Sequence, residues 1–181
     1  MGWLHPKGRY MSDWYVIQVI TGREESTLNF IKEIVNPEVL IDSFIPYTKI
    51  KKKYHGEWHM LNEVLFRGYI FLVTDNIDEL YQELKKVPKL TKLLGMHKDA
   101  LYPLSQEEIA FIKMFSKDDH IIDYSIGYIE GDKVTVIDGP LQGKEAMIRK
   151  IDRHKRIAYL DIDFFNQTVS TKVGLEIIKK N

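Results

Sequence analysis

The stretch Trp14-Tyr15-Val16-Ile17-Gln18-Val19-Ile20-Thr21-Gly22-Arg23-Glu24 decides how the first half of the chain folds. Residues 14–20 are aromatic or β-branched apart from one glutamine, the composition of a buried strand. Thr21 and Glu24 follow at capping-box spacing, so the Thr21 hydroxyl is expected to accept from the Glu24 amide while the Glu24 carboxylate reaches back. Leu28, Ile31, Ile34 and Val35 then recur at helical spacing until Asn36-Pro37 stops the helix. Beyond it, residues 43–53 form a strand candidate ending in Lys49, Lys51, Lys52 and Lys53, Tyr54 to Glu57 mark a hairpin tip, and Trp58 to Leu61 return. Leu65 to Val73 make a second apolar strand, interrupted at Arg67-Gly68. Asn76 to Val87 repeat the helical pattern, with acids in the first turn, Lys85 and Lys86 in the last, and Pro88 as the stop. Ser105 and Glu108 form another capping box, and Ile109, Ile112 and Phe115 share the buried side of the helix it opens.

The pattern then changes. Residues 116–127 lack a helical period and read as a linker or loose strand-forming segment. From Gly131 onward there are only short strands: Val134 and Val136 alternate, Asp138-Gly139-Pro140 turns, Ala146 to Ile151 is extended, and Ala158, Leu160 and Ile162 share a face before Val169 to Val173. Such spacing predicts a small β-barrel, because closure removes exposed strand edges. The chain is therefore expected to be α+β, with an N-terminal extension (1–11), an antiparallel sheet flanked by helices (12–115), a linker (116–127) and a barrel (128–181). Met11 stands as a second possible start.

Composition excludes several function classes. The 181 residues carry 26 Lys+Arg against 26 Asp+Glu, so overall charge attracts neither nucleic acid nor acidic surfaces. Cysteine is absent, which removes disulfides, thiolate nucleophiles and cysteine-ligated metals. No apolar run approaches the roughly 20 residues of a membrane span, and residues 1–10 lack a signal-peptide core; the expectation is a cytoplasmic chain with no membrane contact. Enzyme signatures fail on inspection. Gly139 to Lys144 is one residue short of a phosphate loop, with Glu145 where Ser or Thr should hold magnesium. His55 and His59 lie four apart in a hairpin with no third ligand nearby, and Asp161 and Asp163 read as a solvated sheet face. No catalytic residue, metal or cofactor is expected.

Local clusters say more than the totals. Lysines gather at Lys49 to Lys53 and again from Lys85 through Lys89, Lys92 and Lys98. The sharpest cluster is Arg149, Lys150, Arg153, His154, Lys155 and Arg156 on a predicted hairpin tip, with Asp152 as its one acid. Arginines there can fork onto phosphates or guanine edges; a solubilising tip is the plainer reading. Trp14, Tyr15, Phe66, Tyr69 and Phe71 fall on the two strands expected at the sheet centre. Alternation sends some rings to each face, and a face left uncovered would be an apolar partner site.

At these residues the sequence resembles the NusG/Spt5 family of transcription elongation factors. Trp14-Tyr15-Val16, Leu65-Phe66-Arg67-Gly68-Tyr69-Ile70 and Pro103-Leu104-Ser105 with Glu107-Glu108 resemble its N-terminal (NGN) domain; Gly131 to Val136 with Gly139-Pro140 resemble its KOW domain, a small SH3-like barrel. The resemblance implies an apolar depression, lined by Trp14, Tyr15, Phe66 and Tyr69, that binds the clamp helices of RNA polymerase. Arg67 replaces the family's usual proline, Lys144 stands where housekeeping members carry a phenylalanine that contacts a ribosomal protein, and Phe165-Asn166 replaces Gly-Arg. The stretch from Val87 to Gly95 and the basic hairpin look more like the LoaP antiterminator branch. That likeness implies a monomer recruited by an RNA hairpin in a nascent leader transcript, with Lys144, Arg149, Lys150, Arg153, His154, Lys155 and Arg156 as the RNA-binding set. The alternative within the family is a general elongation or pausing factor whose KOW domain binds a protein.

Overall fold

A computed structural model describes residues 12–88, 90–97, 100–116, 118–164 and 167–179. Residues 1–11, Lys89, Lys98, Phe165 and Asn166, each part of a reading above, lie outside the described residues. In chain order the elements are β1 (Asp13–Val19), α1 (Glu24–Ile34), β2 (Asp42–Phe44), β3 (Tyr47–Tyr54), β4 (Glu57–Val64), β5 (Tyr69–Thr74), α2 (Ile77–Leu84), β6 (Leu90–Leu93), β7 (Met96–His97) and β8 (Ala100–Leu101). They continue with α3 (Gln106–Phe115), β9 (Ile121–Ile122), β10 (Ser125–Glu130), β11 (Lys133–Asp138), β12 (Ile148–Asp152), β13 (Ile157–Phe164) and β14 (Gln167–Ile177). By packing, Met1–Ile45 with Arg67–Ser105 form one unit and Pro46–Phe66 with Gln106–Asn181 the other. The hairpin β3–β4 and helix α3 thus pack with the barrel strands, although chain order puts them among residues 12–115.

The first unit is built on a sheet of order β2-β5-β1-β6, every neighbouring pair antiparallel. β1 and β2 run parallel and are joined through α1; β5 and β6 run parallel and are joined through α2. Right-handed crossovers in both cases bring the two helices to the same sheet face. Ile17, Ile70 and Leu72 of the sheet, Ile31 of α1 and Leu80 and Leu84 of α2 are all essentially inaccessible. Each such side chain contributes roughly 1.5–3 kcal/mol.

The N-termini of these helices differ from the sequence pattern in one case. α2 starts as read: Asn76 caps it, its side-chain oxygen accepting from the Glu79 amide at 3.2 Å. The capping box expected at Thr21 does not form. α1 starts at Glu24 with no side-chain cap, and the buried Glu24 carboxylate instead accepts the Gly68 amide at 2.7 Å. Gly68 also accepts from the Val19 amide at 2.8 Å and has φ +82°, so the expected strand 65–73 is broken there and β5 begins at Tyr69.

In the second unit, β3 and β4 pair over their whole length about a tip at His55 and Gly56, φ +49° and +85°, the backbone a tight hairpin turn requires. The barrel sheet has the order β11-β10-β14-β13-β12, with β10 and β14 parallel. Inside the segment read as a linker, Ile121–Ile122 pairs with β3 and Ser125 opens β10. Gly174 marks where the barrel meets the hairpin: a Cβ there would lie 2.2 Å from the Tyr124 ring and 2.3 Å from the Lys49 carbonyl. Thr171 donates its hydroxyl to the Leu65 carbonyl, Lys51 pairs with Glu176, Lys52 and Lys172 share Glu63, and Lys49 pairs with Asp123 at 2.9 Å. Buried Thr171 and shared carboxylates make this contact partly polar.

Candidate functional site

Register separates the expected aromatic set. Trp14 lies opposite Val73, Gln18 opposite Tyr69 and Phe44 opposite Phe71, which puts Trp14, Phe44, Tyr69 and Phe71 on the sheet face away from α1 and α2. Trp14 meets Phe44 edge-on at 5.1 Å, and Phe44 stacks on Phe71 at 5.4 Å. Tyr15, one residue on, points to the helix face. Burial, with the carboxylates of Asp13 and Asp78 adding to it, pushes its hydroxyl up to about 12. Tyr15 therefore cannot line a hollow shared with Trp14. Accessibility corrects the expectation further: Trp14 is 9% exposed, Tyr15 3% and Phe66 2%, and Tyr69 alone of the four is half-buried. Among the described residues three of the four rings are thus buried rather than open to solvent, and Phe44, a member of the ring row, was not singled out by sequence. Its pairing with Phe71 across β2 and β5 is the signal that finds it.

The cationic hairpin is β12, the turn 153–156 and β13. Arg149, Lys150, Arg153, His154 and Lys155 are all exposed. Arg149 pairs with Asp161 at 3.0 Å, and Lys155 reaches Asp152 at 3.8 Å while its amide donates to the same carboxylate. That amide bond, more than Lys155's charge, holds the Asp152 carboxyl below its ordinary range. Two members of the expected set turn inward. Arg156, at φ +55°, lies 3.9 Å over the Trp58 ring and pairs with Glu176 at 2.7 Å. Lys144 donates to the Pro140 carbonyl at 3.1 Å and sits over the Phe115 ring. Both groups already have partners that an RNA phosphate would have to displace. In the turn once compared with a phosphate loop, Glu145 accepts the Val136 amide at 2.9 Å, and that bond chiefly lowers its carboxyl. His59 stacks flat on Tyr54 at 3.6 Å, and His55 forms the hairpin tip.

Residues 12–113 match the family model described as transcription termination factor nusG. The chain belongs to the NusG family. Residues 130–161 match the KOW motif. Among curated relatives, the transcription termination/antitermination protein NusG of Helicobacter pylori is 24% identical over 177 residues, covering 94% of this chain and 99% of that one. The protein of the same description from Streptococcus pyogenes is 26% identical over 163 residues, covering 87% and 90%. Among solved structures, "Domain interaction in Thermotoga maritima NusG" aligns with a TM-score of 0.57 at 20% identity, covering 92% of this chain and 94% of that one. The α+β architecture, three helices with mainly antiparallel sheets, is that of NusG with its NGN and KOW parts. Within this NusG framework the buried Glu24–Gly68 bond holds the turn that follows Arg67, and the Glu24 carboxylate serves there instead of in a helix cap.

Proposed function

We propose that this NusG-family chain is a processive antitermination factor that binds RNA polymerase through its NGN domain and a nascent RNA hairpin through its KOW domain. It acts by binding, as a cytoplasmic monomer without a cofactor. The observation that supports the RNA half is the run of four exposed cations, Arg149, Lys150, Arg153 and Lys155, with the exposed His154 among them, on one barrel hairpin of a chain with no net charge. Structured RNA is read first through shape and phosphates. Arg156 supports that hairpin's position through Trp58 and Glu176. For the polymerase half, we assign the contact to the half-buried Tyr69 and the edge of Trp14, with Tyr15 packed on the opposite face of the same sheet. A helix laid against such a face is a common recognition mode. The factor needs only a higher affinity for the processive state of the polymerase to favour it.

Transcription in vitro past a terminator, with and without a leader hairpin in the template, tests this reading. Read-through that requires the hairpin, and that is lost when Arg149, Lys150 and Arg153 are changed to glutamine, is expected. Hairpin binding unaffected by those changes overturns the RNA role. A second reading, a general elongation or pausing factor with a protein partner on the KOW barrel, draws on relatives of the same two-domain extent described as termination/antitermination proteins. Element-independent effects on elongation would favour it.

A further inference from the structure

Within the second unit, a groove of about 290 Å³ runs between the β3–β4 hairpin and the tip of the β12–β13 hairpin. Its walls carry Lys51, Lys52, Lys53, His154, Lys155 and Lys172, and its apolar part includes the Trp58 indole. These lysines and Arg156 are six cations. The carboxylates they pair with are three: Glu63 for Lys52 and Lys172, Glu176 for Lys51 and Arg156, and Asp152 for Lys155. Three positive charges are thus in excess, on a chain whose total is zero. Lys53 is exposed and has no ion-pair partner among the described residues. Trp58 is 36% exposed, with the Arg156 guanidinium already stacked on its ring.

We infer that this groove holds the phosphodiester backbone of a single nucleic-acid strand, with a base continuing the Trp58–Arg156 stack. The inference rests on the RNA reading of the KOW hairpin and extends it onto the β3–β4 hairpin, which nothing above assigns to a ligand. Cationic walls that track a backbone, with an aromatic ring as platform, are the construction of single-strand sites. A groove of this size takes a short piece of single strand and not a double helix; on the RNA reading of the KOW hairpin, that strand is one leaving the paired stem. An acidic peptide would pair with the lysines but does not offer the indole a flat ring at every residue, as a nucleic-acid strand does.

The test measures binding of a fluorescein-labelled oligouridylate to the full chain at several salt concentrations, with oligothymidylate and a blunt RNA duplex of equal length as comparators. A Lys52→Gln/Lys53→Gln variant, confined to β3 and leaving Glu63 paired with Lys172, is expected to reduce the slope of log affinity against log salt by about 1.4, since each single-strand phosphate contact contributes about 0.7. Oligouridylate is also expected to quench the Trp58 emission, identified by its loss in Trp58→Phe, and the blunt duplex is not. An equal response to oligothymidylate places the site on backbone common to RNA and DNA; preference for oligouridylate places it on RNA. An unchanged slope together with unquenched Trp58 overturns the groove. A parallel Arg149→Gln/Lys150→Gln variant separates the two readings. If it weakens hairpin RNA while the groove variant does not, the groove is refuted and the KOW reading stands. If the groove variant alone weakens binding, the groove stands and the KOW hairpin assignment falls. Unchanged thermal midpoints in both variants establish that the slopes report contacts.

Discussion

Replacing Arg156 separates two accounts of a side chain that sequence pattern places at an RNA contact and structure places in a stack. Arg156 adopts φ +55°, a conformation that costs most non-glycine residues roughly 1–2 kcal/mol. Its guanidinium lies 3.9 Å from the Trp58 ring centre and 2.7 Å from Glu176, both side chains of the ion pair being at most 26% exposed. A partly desolvated cation–π contact contributes about 0.5–2 kcal/mol, and the ion pair adds about 0.2–1 kcal/mol. Asparagine tolerates the left-handed backbone, so Arg156→Asn removes the side-chain contacts while adding little backbone strain. Glu176 keeps Lys51 as a partner, which avoids the larger penalty of an orphaned charge. The expected loss in urea unfolding is therefore about 1–3 kcal/mol. Arg156→Lys should fall between, because an ammonium lacks the planar face that stacks. Coupling with Trp58→Leu in a double-mutant cycle should be about 0.5–1.5 kcal/mol. If Arg156→Asn unfolds like the unmodified chain while RNA affinity and its salt slope both drop, the stack is incidental and the arginine is an RNA contact.

Gly174→Ala should destabilise the second unit by about 1–3 kcal/mol in urea unfolding, because the new methyl overlaps the Tyr124 ring and the Lys49 carbonyl; an unchanged midpoint would mean that β14 and β3 separate readily in solution. Glu24→Ala should cost about 1–3 kcal/mol by thermal unfolding, by leaving the buried Gly68 amide without an acceptor, and Glu24→Gln should recover most of it through its amide oxygen. Burial alone would raise the Glu63 carboxyl, but its bonds to Lys172 and Lys52 outweigh burial and lower it. A carboxyl whose folded value lies below its unfolded one adds stability above the unfolded value and loses it as acid protonates the folded state. Urea midpoints should therefore fall as pH drops below about 4.5, the ordinary glutamate value. That slope should flatten in Glu63→Gln; an identical slope in the variant would show that other carboxylates govern it.

Local pattern was a good guide wherever the deciding interactions are local. The faces of α2 and α3 follow from spacing, and Leu80, Leu84, Ile109, Ile112 and Phe115 are buried as the helical period requires. The Asn76 cap lies within its own turn and was legible for the same reason. The Thr21 capping box failed because the Glu24 carboxylate has a stronger use 44 residues along the chain, at Gly68. A spacing rule cannot see that competitor. The same holds for Arg156, whose partner Trp58 belongs to a different hairpin and was read only as a returning strand. For the aromatic set, alternation already implied that Trp14 and Tyr15 diverge. Which face the helices cover came only with the strand order β2-β5-β1-β6, and that order depends on pairings no short window contains.

The two proposed contacts differ in physical kind, and this bears on how such a factor could be selective. The NGN face offers rings and little charge, so affinity there changes weakly with salt. The KOW hairpin and the adjoining lysines offer charge, so affinity there falls steeply as counterions compete for the phosphates. With no net charge on the chain, long-range attraction to nucleic acid in general is small, and only a site that presents several phosphates at the spacing of this cluster gains from it. On the proposed function, a modest RNA contact near a transcribing polymerase raises the local concentration of the NGN face without strengthening that face at all. Selectivity for particular transcripts then comes from linking two weak contacts, and the NGN face needs no sequence preference of its own. Loss of either contact should abolish element-dependent read-through, while loss of the RNA contact alone should leave binding to isolated polymerase intact.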